Sequence, residues 1–235
     1  MNDIVYILRN DIDEIDSDEL RYSLRSVVKN FSFNSVWFYG GCPKWAKPDH
    51  YVKFKQQGTN KWLKSCSTLK AIFENDEITA EFYLFNDDFY ILKPYEQDVA
   101  IVNGTIYERA EVLKQKRGAT KYYRKQISEA AWLNNHCLPT MNYATHTPLL
   151  VNRVKALEVV NMAPSRCLFR NLYGNICEVP YTIHDDVKIL LDDMEGVPDE
   201  DAFLCSSGDA NFKKGAVGVY IRNMFPEPCR YEKEG

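Results

Sequence analysis

Ile4-Val5-Tyr6-Ile7-Leu8 at one end and Ser35-Val36-Trp37-Phe38-Tyr39-Gly40-Gly41 at the other bracket the stretch that decides the fold. Each is a short apolar run of the length of a buried strand. Between them acidic residues crowd positions 11–19, where Ser17 can cap a helix beginning near Asp18. Leu20, Leu24, Val27, Val28 and Phe31 then fall on one helical face, with Arg21, Arg25 and Lys29 as a basic stripe beside it. Strand, helix and strand in this order predict a parallel pair joined by a crossover, and hence an α/β protein.

Outward from this unit the pattern continues. Residues 42–60 read as loop, with Pro43, Pro48 and Gly58, around a short strand at Tyr51 to Phe54. Trp62 to Phe73 reads as helix. A strand from about Ala80 to Phe85 ends in Asn86-Asp87-Asp88 and resumes through Leu92, and Pro94 stops it. Over 111–126, Lys114, Lys116, Arg117, Lys121, Arg124 and Lys125 form a basic cluster around Gly118 and Tyr122-Tyr123, leading into a helix that ends near Asn134. Met141 to Ala144 is extended and leads to His146. Leu149 to Val160 has a helical pattern, and a second helix follows Pro164. Cys177 to Ile183 is extended and ends in His184-Asp185-Asp186; Phe203 to Cys205 is a strand and Gly215 to Met224 a helix. No repeat or linker interrupts the chain. The expectation is one compact domain over 1–235, with a basic insertion or loop at about 111–126.

Composition narrows the class. A chain of 235 residues with 45% hydrophobic and 13% aromatic content can bury a substantial core. A net charge of −4 argues against a general nucleic-acid or membrane-surface coat, while leaving room for a local basic patch. The seven cysteines are scattered, with no spacing of a zinc knuckle or redox dithiol, and read as reduced thiols. No basic-then-apolar leader and no membrane-length apolar window are visible, so a cytoplasmic protein is expected.

The chemistry concentrates in Tyr83-Leu84-Phe85-Asn86-Asp87-Asp88-Phe89-Tyr90. Adjacent carboxylates between apolar residues need a cation or donors to stay ionised, and a divalent metal at a strand end supplies one. A solvated Asn-Asp turn is the plain alternative. His146 is the leading candidate for a general base, because histidine exchanges protons near neutrality. His184, followed by two aspartates, is a second, as metal ligand or base. Arg21 and Arg25, four apart on one face, can grip a diphosphate or serve structural ion pairs. Arg166 and Arg170, also four apart, are further phosphate candidates. Gly40 and Gly41 leave room for a close backbone approach. The 114–125 cluster, Lys121 included, is either a solvated face or a clamp for an anionic group.

Several of these segments, in order, resemble the Stealth family of sugar-1-phosphate transferases. They are the basic helix Glu19 to Ser26, the turn Gly40-Gly41-Cys42-Pro43-Lys44-Trp45, Phe85-Asn86-Asp87-Asp88-Phe89, His146-Thr147-Pro148, and the tail Phe225-Pro226-Glu227-Pro228-Cys229-Arg230-Tyr231-Glu232. The family includes bacterial capsule-polymer phosphotransferases and the catalytic core of N-acetylglucosamine-1-phosphotransferase. The first block departs from its pattern, with Leu8 where a tryptophan is usual, and the segments between blocks are short.

The resemblance implies a single-domain, mixed but mostly parallel sheet flanked by helices, in a GT-A-like nucleotide-sugar transferase architecture. It implies transfer of sugar-1-phosphate from a nucleotide-diphosphate sugar, UDP-linked by preference, to a hydroxyl of a glycan or anionic polymer. Plain glycosyl transfer to a glycan, cell-wall polymer or modified DNA base is the alternative. A non-catalytic polyanion- or nucleic-acid-binding module is a third reading, which the net charge and the ordered motifs disfavour. On the transferase reading Asp87, Asp88 and His184 hold Mg²⁺ or Mn²⁺, and His146, Asp88 and Arg25 are catalytic. Arg21, Asn86, Gly40, Gly41, Arg166 and Lys121 bind substrate.

Overall fold

The computed structural model describes residues 1–12, 17–95, 99–115, 120–163, 168–189 and 193–233. Arg166 and the Lys116-Arg117-Gly118 part of the basic cluster lie outside them. The chain runs β1 (Asp3–Ile7), α1 (Asp18–Asn30), β2 (Val36–Gly40), β3 (His50–Lys53), α2 (Lys61–Glu74), β4 (Glu81–Phe85), β5 (Phe89–Ile91) and β6 (Ala100–Val102). It continues with α3 (Ile106–Lys114), α4 (Thr120–Asn135), β7 (Leu149–Asn152), α5 (Arg153–Met162) and α6 (Phe169–Ile176). The last elements are β8 (Tyr181–Ile183), β9 (Lys188–Ile189), β10 (Leu204–Ser207), α7 (Asp209–Lys214) and α8 (Ala216–Met224).

The main sheet has the order β3-β2-β1-β4-β7, with β7 alone antiparallel. Its central strands are apolar throughout because both faces are covered. Ile4, Tyr6, Val36 and Phe38 pack with Leu20, Leu24 and Val27 of α1. Val5, Trp37, Tyr39, Phe82 and Leu84 pack with Leu69, Ile72 and Phe73 of α2 on the other side. The parallel strand-helix-strand unit is as expected, and the sheet is mixed and mostly parallel with flanking helices. From β1 the chain steps through α1 to β2 and on to β3, and the connection through α2 then crosses back from β3 to β4 on the other side of β1. The crevice outside the carboxyl ends of β1 and β4 is therefore the topological switch point, where open α/β sheets bind ligands.

Two local expectations change. Leu149 to Val160 is not one helix: Leu149–Asn152 is β7, and α5 begins at Arg153 with the Asn152 side chain accepting from Lys155 N–H. The four β7 residues share the apolar character of the helix that follows, so periodicity could not divide them. Leu149 pairs with Leu84 in antiparallel register, which brings the segment just before β7 to the edge where β4 ends. Of the 111–126 region, residues 111–114 close α3 and 120–126 open α4, and 116–119 lie outside the described residues. A capping box at Thr105 and Glu108 starts α3, a signal that was present in the sequence as Thr-x-x-Glu.

Smaller sheets extend the carboxyl edge. β5 pairs with β10 and β10 with β9, while β6 pairs with β8. Two sharp approaches shape this edge as well. Gly40 has φ +112°, and a Cβ there would overlap the Leu8 carbonyl; one at Gly41 would overlap the Arg9 carbonyl. The glycine pair thus admits the chain's own 8–12 segment beside the end of β2.

Candidate active site

Three segments meet at the carboxyl edge. The first is Asn86-Asp87-Asp88, immediately after β4. Asn86 is exposed and Asp87 half-buried. Burial, reinforced by the Asp88 charge, pushes the Asp87 carboxyl up to about 6. Asp88 Oδ2 accepts from Lys188 Nζ at 2.7 Å and from Ser206 Oγ at 3.1 Å, so the parallel pair β9–β10 delivers its counter-charge. Glu19, in the first turn of α1, faces the same group. Burial and then the charges of Asp87, Asp88 and Asp209 raise it to about 8, against the pull of Lys188. Ser207 Oγ donates to Glu19 Oε1 at 3.4 Å. Sequence reasoning missed Glu19, Lys188 and Ser206, whose contributions depend on contacts between segments far apart in the chain.

The second segment carries His146. Its Nδ1 lies 2.8 Å from Asp186 Oδ2, and its backbone N–H donates to Asp186 Oδ1 at 3.0 Å. Burial alone would raise the Asp186 carboxyl, but the bonds and charge of His146, with Arg109, hold it below the usual range. The same carboxylate thus holds the ring through Nδ1 and the backbone beside it, an orienting arrangement that a base requires. Of the two aspartates that drew attention to His184, Asp186 serves His146.

Arg170 joins these halves. Its guanidinium donates to Thr147 O at 2.7 Å and to Leu84 O at 3.3 Å, and sits 5.5 Å from the Phe89 ring centre. Burial lowers its pKa to about 10, opposed by the charges of Asp88 and Asp186. A half-buried arginine thus lies between the acidic segment and the histidine pair, and it lines a cavity of about 170 Å³ together with Asn86, Ile7 and Leu84. A larger opening of about 670 Å³ adjoins it, bounded by Ile7 to Asp11, Gln56, Lys61, Lys64 and Ser65.

Other expected site residues stand elsewhere. Arg25 is 8% exposed, and its Nε and NH2 donate to Glu232 at 2.7 and 2.9 Å. Its NH1 donates to Phe225 O and Pro226 O, so four of its five N–H groups hold the C-terminal tail. Arg21 stacks over Trp45 and pairs with Glu232 and Asp18. Lys29 lies over Phe225. The basic stripe, the Trp45 turn and the tail thus form one clasp, and its arginines spend their charge inside the protein. Ser17 has no capping bond; its hydroxyl accepts from Trp45 Nε1. His184 is exposed, with Nδ1 2.8 Å from Asp185 O. Lys121 is exposed on α4.

The acidic donor set suits a hard cation. Among the described residues no three His, Cys, Asp or Glu side chains are arranged as a metal cage, and His184 joins no such group. Mg²⁺ ordinarily needs only one or two carboxylates, completed by substrate phosphates and water. Asp87 and Asp88, adjacent at the end of β4, meet that description.

No family model and no curated protein matches the sequence. Among solved structures, the galactosyltransferase LgtC in complex with donor and acceptor sugar analogues superposes with a TM-score of 0.54 over 98% of this chain and 98% of its own, at 10% identity. The fold is of the GT-A type. An active-site variant of LgtC gives 0.50 over 94% of each chain, again at 10% identity. At such identity the likeness is one of architecture, and the resemblance to the Stealth family rests on the motif segments alone.

Proposed function

We propose that the chain is a metal-dependent transferase that uses a nucleotide-diphosphate sugar and acts on a hydroxyl acceptor. The observation that carries this reading is the convergence at the sheet's switch point. Asp87-Asp88, the His146–Asp186 pair and the Arg170 guanidinium between them are brought together there by the β4–β7 register. Asp87 and Asp88 hold Mg²⁺ or Mn²⁺, which when bound offsets charge on the donor diphosphate. Lys188 balances Asp88, and Arg170 adds a fixed positive charge toward the phosphates. Asn86 orients the donor, whose nucleotide occupies the opening beside Arg9, Lys61 and Lys64. His146 accepts the acceptor proton, and Asp186 orients its ring and stabilises the imidazolium. Arg25 and Arg21 stabilise the clasp and take no part in the chemistry.

Transfer of sugar-1-phosphate is the leading reaction, because the ordered motifs resemble those of a family with that activity. Glycosyl transfer is the second, favoured by the LgtC-like architecture. The products separate them. With UDP-N-acetylglucosamine and Mn²⁺, the first reaction releases the nucleoside monophosphate and the second the diphosphate. Asp88→Ala is expected to lower turnover by about 10²–10³-fold or more while the protein stays folded. Full, metal-independent activity of that variant sinks the assignment.

A further inference from the structure

The stretch that carries His146, residues 142–148, belongs to no helix or strand. No ladder pairs its backbone, yet Asn142, Tyr143, Thr145 and Thr147 are all buried. Buried backbone groups need partners, and side chains of α6 supply several of them. The Asn175 amide accepts from Met141 N–H and donates to Met141 O, both at 2.8 Å. Asn171 Oδ1 accepts from Ala144 N–H at 2.9 Å, and Arg170 NH1 donates to Thr147 O at 2.7 Å. The helix therefore grips the chain two residues before His146 and one residue after it.

The composition of α6 follows from these contacts and not from helix propensity. Its eight residues, Phe169–Ile176, include two asparagines and a glycine, all weak helix formers. Asn171 is 0% and Asn175 1% exposed, where apolar side chains would pack without polar groups to satisfy. Gly174 shares their face, and a Cβ there would come within 2.3 Å of the Tyr143 ring. Asn171, Gly174 and Asn175 thus form one surface on which the 141–147 segment is seated. The same helix reaches the acidic segment: Arg170 NH2 donates to Leu84 O at 3.3 Å, two residues before Asn86. One helix therefore sets where the imidazole stands relative to Asp87 and Asp88.

We infer that Asn171 and Asn175, with Gly174 between them, are positioning residues for the base, acting through the backbone of residues 141–147 to hold His146 at the carboxyl edge. The inference rests on the transferase reading above, in which His146 accepts the acceptor proton. It adds residues whose burial keeps them from touching donor or acceptor. A misplacement of about 1 Å in a reacting group costs roughly 10²-fold in rate, so the seat matters to turnover well before it matters to the fold.

The test uses the whole chain with UDP-N-acetylglucosamine and Mn²⁺, water as the acceptor, and follows the uridine nucleotide released. Asn171→Leu keeps the side-chain volume and removes the acceptor for Ala144 N–H. It is expected to lower kcat by about 10–10²-fold, with the donor KM within about twofold of wild type. Gly174→Ala removes no hydrogen bond but sets a methyl group against the Tyr143 ring, and is expected to show the same split between kcat and KM. Hydrogen exchange is expected to quicken over residues 141–147 in both variants and to keep the wild-type rate in β1 and α1, whereas a general loss of stability quickens all three. Wild-type kcat in both variants beside an impaired His146→Ala overturns the inference. So does exchange that is unchanged over 141–147 or accelerated throughout the chain. His146→Ala at the wild-type rate, or a wild type that neither binds nor turns over the nucleotide sugar, overturns the transferase reading instead.

Discussion

Glu232→Gln separates a structural from a catalytic role for Arg25. The substitution keeps the shape of the side chain and removes its charge, leaving a buried guanidinium facing only the Phe225 and Pro226 carbonyls and a neutral amide. Both side chains of the pair are at most 10% exposed, so solvent does little to replace the lost partner. Removing one member of such a pair costs ~3–5 kcal/mol, and the amide oxygen of glutamine recovers part of it, giving an expected loss of about 2–4 kcal/mol. At ~2–4 °C per kcal/mol for a chain of this size, the melting midpoint should fall by about 4–16 °C. Burial works to raise Glu232, but the Arg25 and Cys229 hydrogen bonds and the Arg25 charge hold it below its ordinary 4.5. The stabilisation is therefore present above that value and lost as pH falls through the lowered folded value. Urea denaturation of both proteins at several pH values should show the largest gap near neutrality and a shrinking gap toward acid. Turnover of the folded variant at low temperature should match wild type. A loss below about 1 kcal/mol together with collapsed turnover would refute the clasp and return Arg25 to the substrate.

Three further outcomes follow from the geometry. Folded Glu19 keeps its proton to about 8, whereas the unfolded chain loses it near 4.5, so wild type should lose stability as pH rises between these values. Glu19→Gln should flatten that slope in urea midpoints, and an unchanged slope contradicts the acidic crowding. His146→Ala should lower kcat by about 10²–10⁴-fold with donor affinity retained, and Asp186→Asn by at least about tenfold, since it removes the ring's orienting partner. Steady-state kinetics showing either variant at the wild-type rate would remove the pair from the chemistry. Gly40→Ala sets a side chain at φ +112° against the Leu8 carbonyl and should cost at least about 2 kcal/mol; a thermal midpoint equal to wild type would show that the edge can relax.

The parallel unit from β1 to β2, helix α2 and the β4 strand with its acidic ending were legible because each is local. Apolar runs of strand length and a single amphipathic helix leave few alternatives once both sheet faces must be covered. The same locality misled at Leu149–Asn152, whose apolar residues continue smoothly into α5. It misled again at Arg21 and Arg25. A basic helical stripe near a strand end reads as a phosphate grip until its partner, Glu232, arrives from 207 residues further along the chain. Asp186 was legible as an acidic residue, but the histidine it serves was assigned to its neighbour His184 because spacing along the chain stood in for distance in space.

By itself, then, the sequence determined the fold class, the acidic strand ending and the candidacy of His146, since these depend on hydrophobic periodicity and residue chemistry within a few turns. Only the tertiary structure decided which charges remain available for a ligand. The β4–β7 register places His146 at the edge that carries Asp87 and Asp88, with Arg170 bound to both strands' ends. The packing of the tail withdraws Arg25. A charge's function depends on whether a partner of opposite sign lies within a few ångströms, and folding alone settles that.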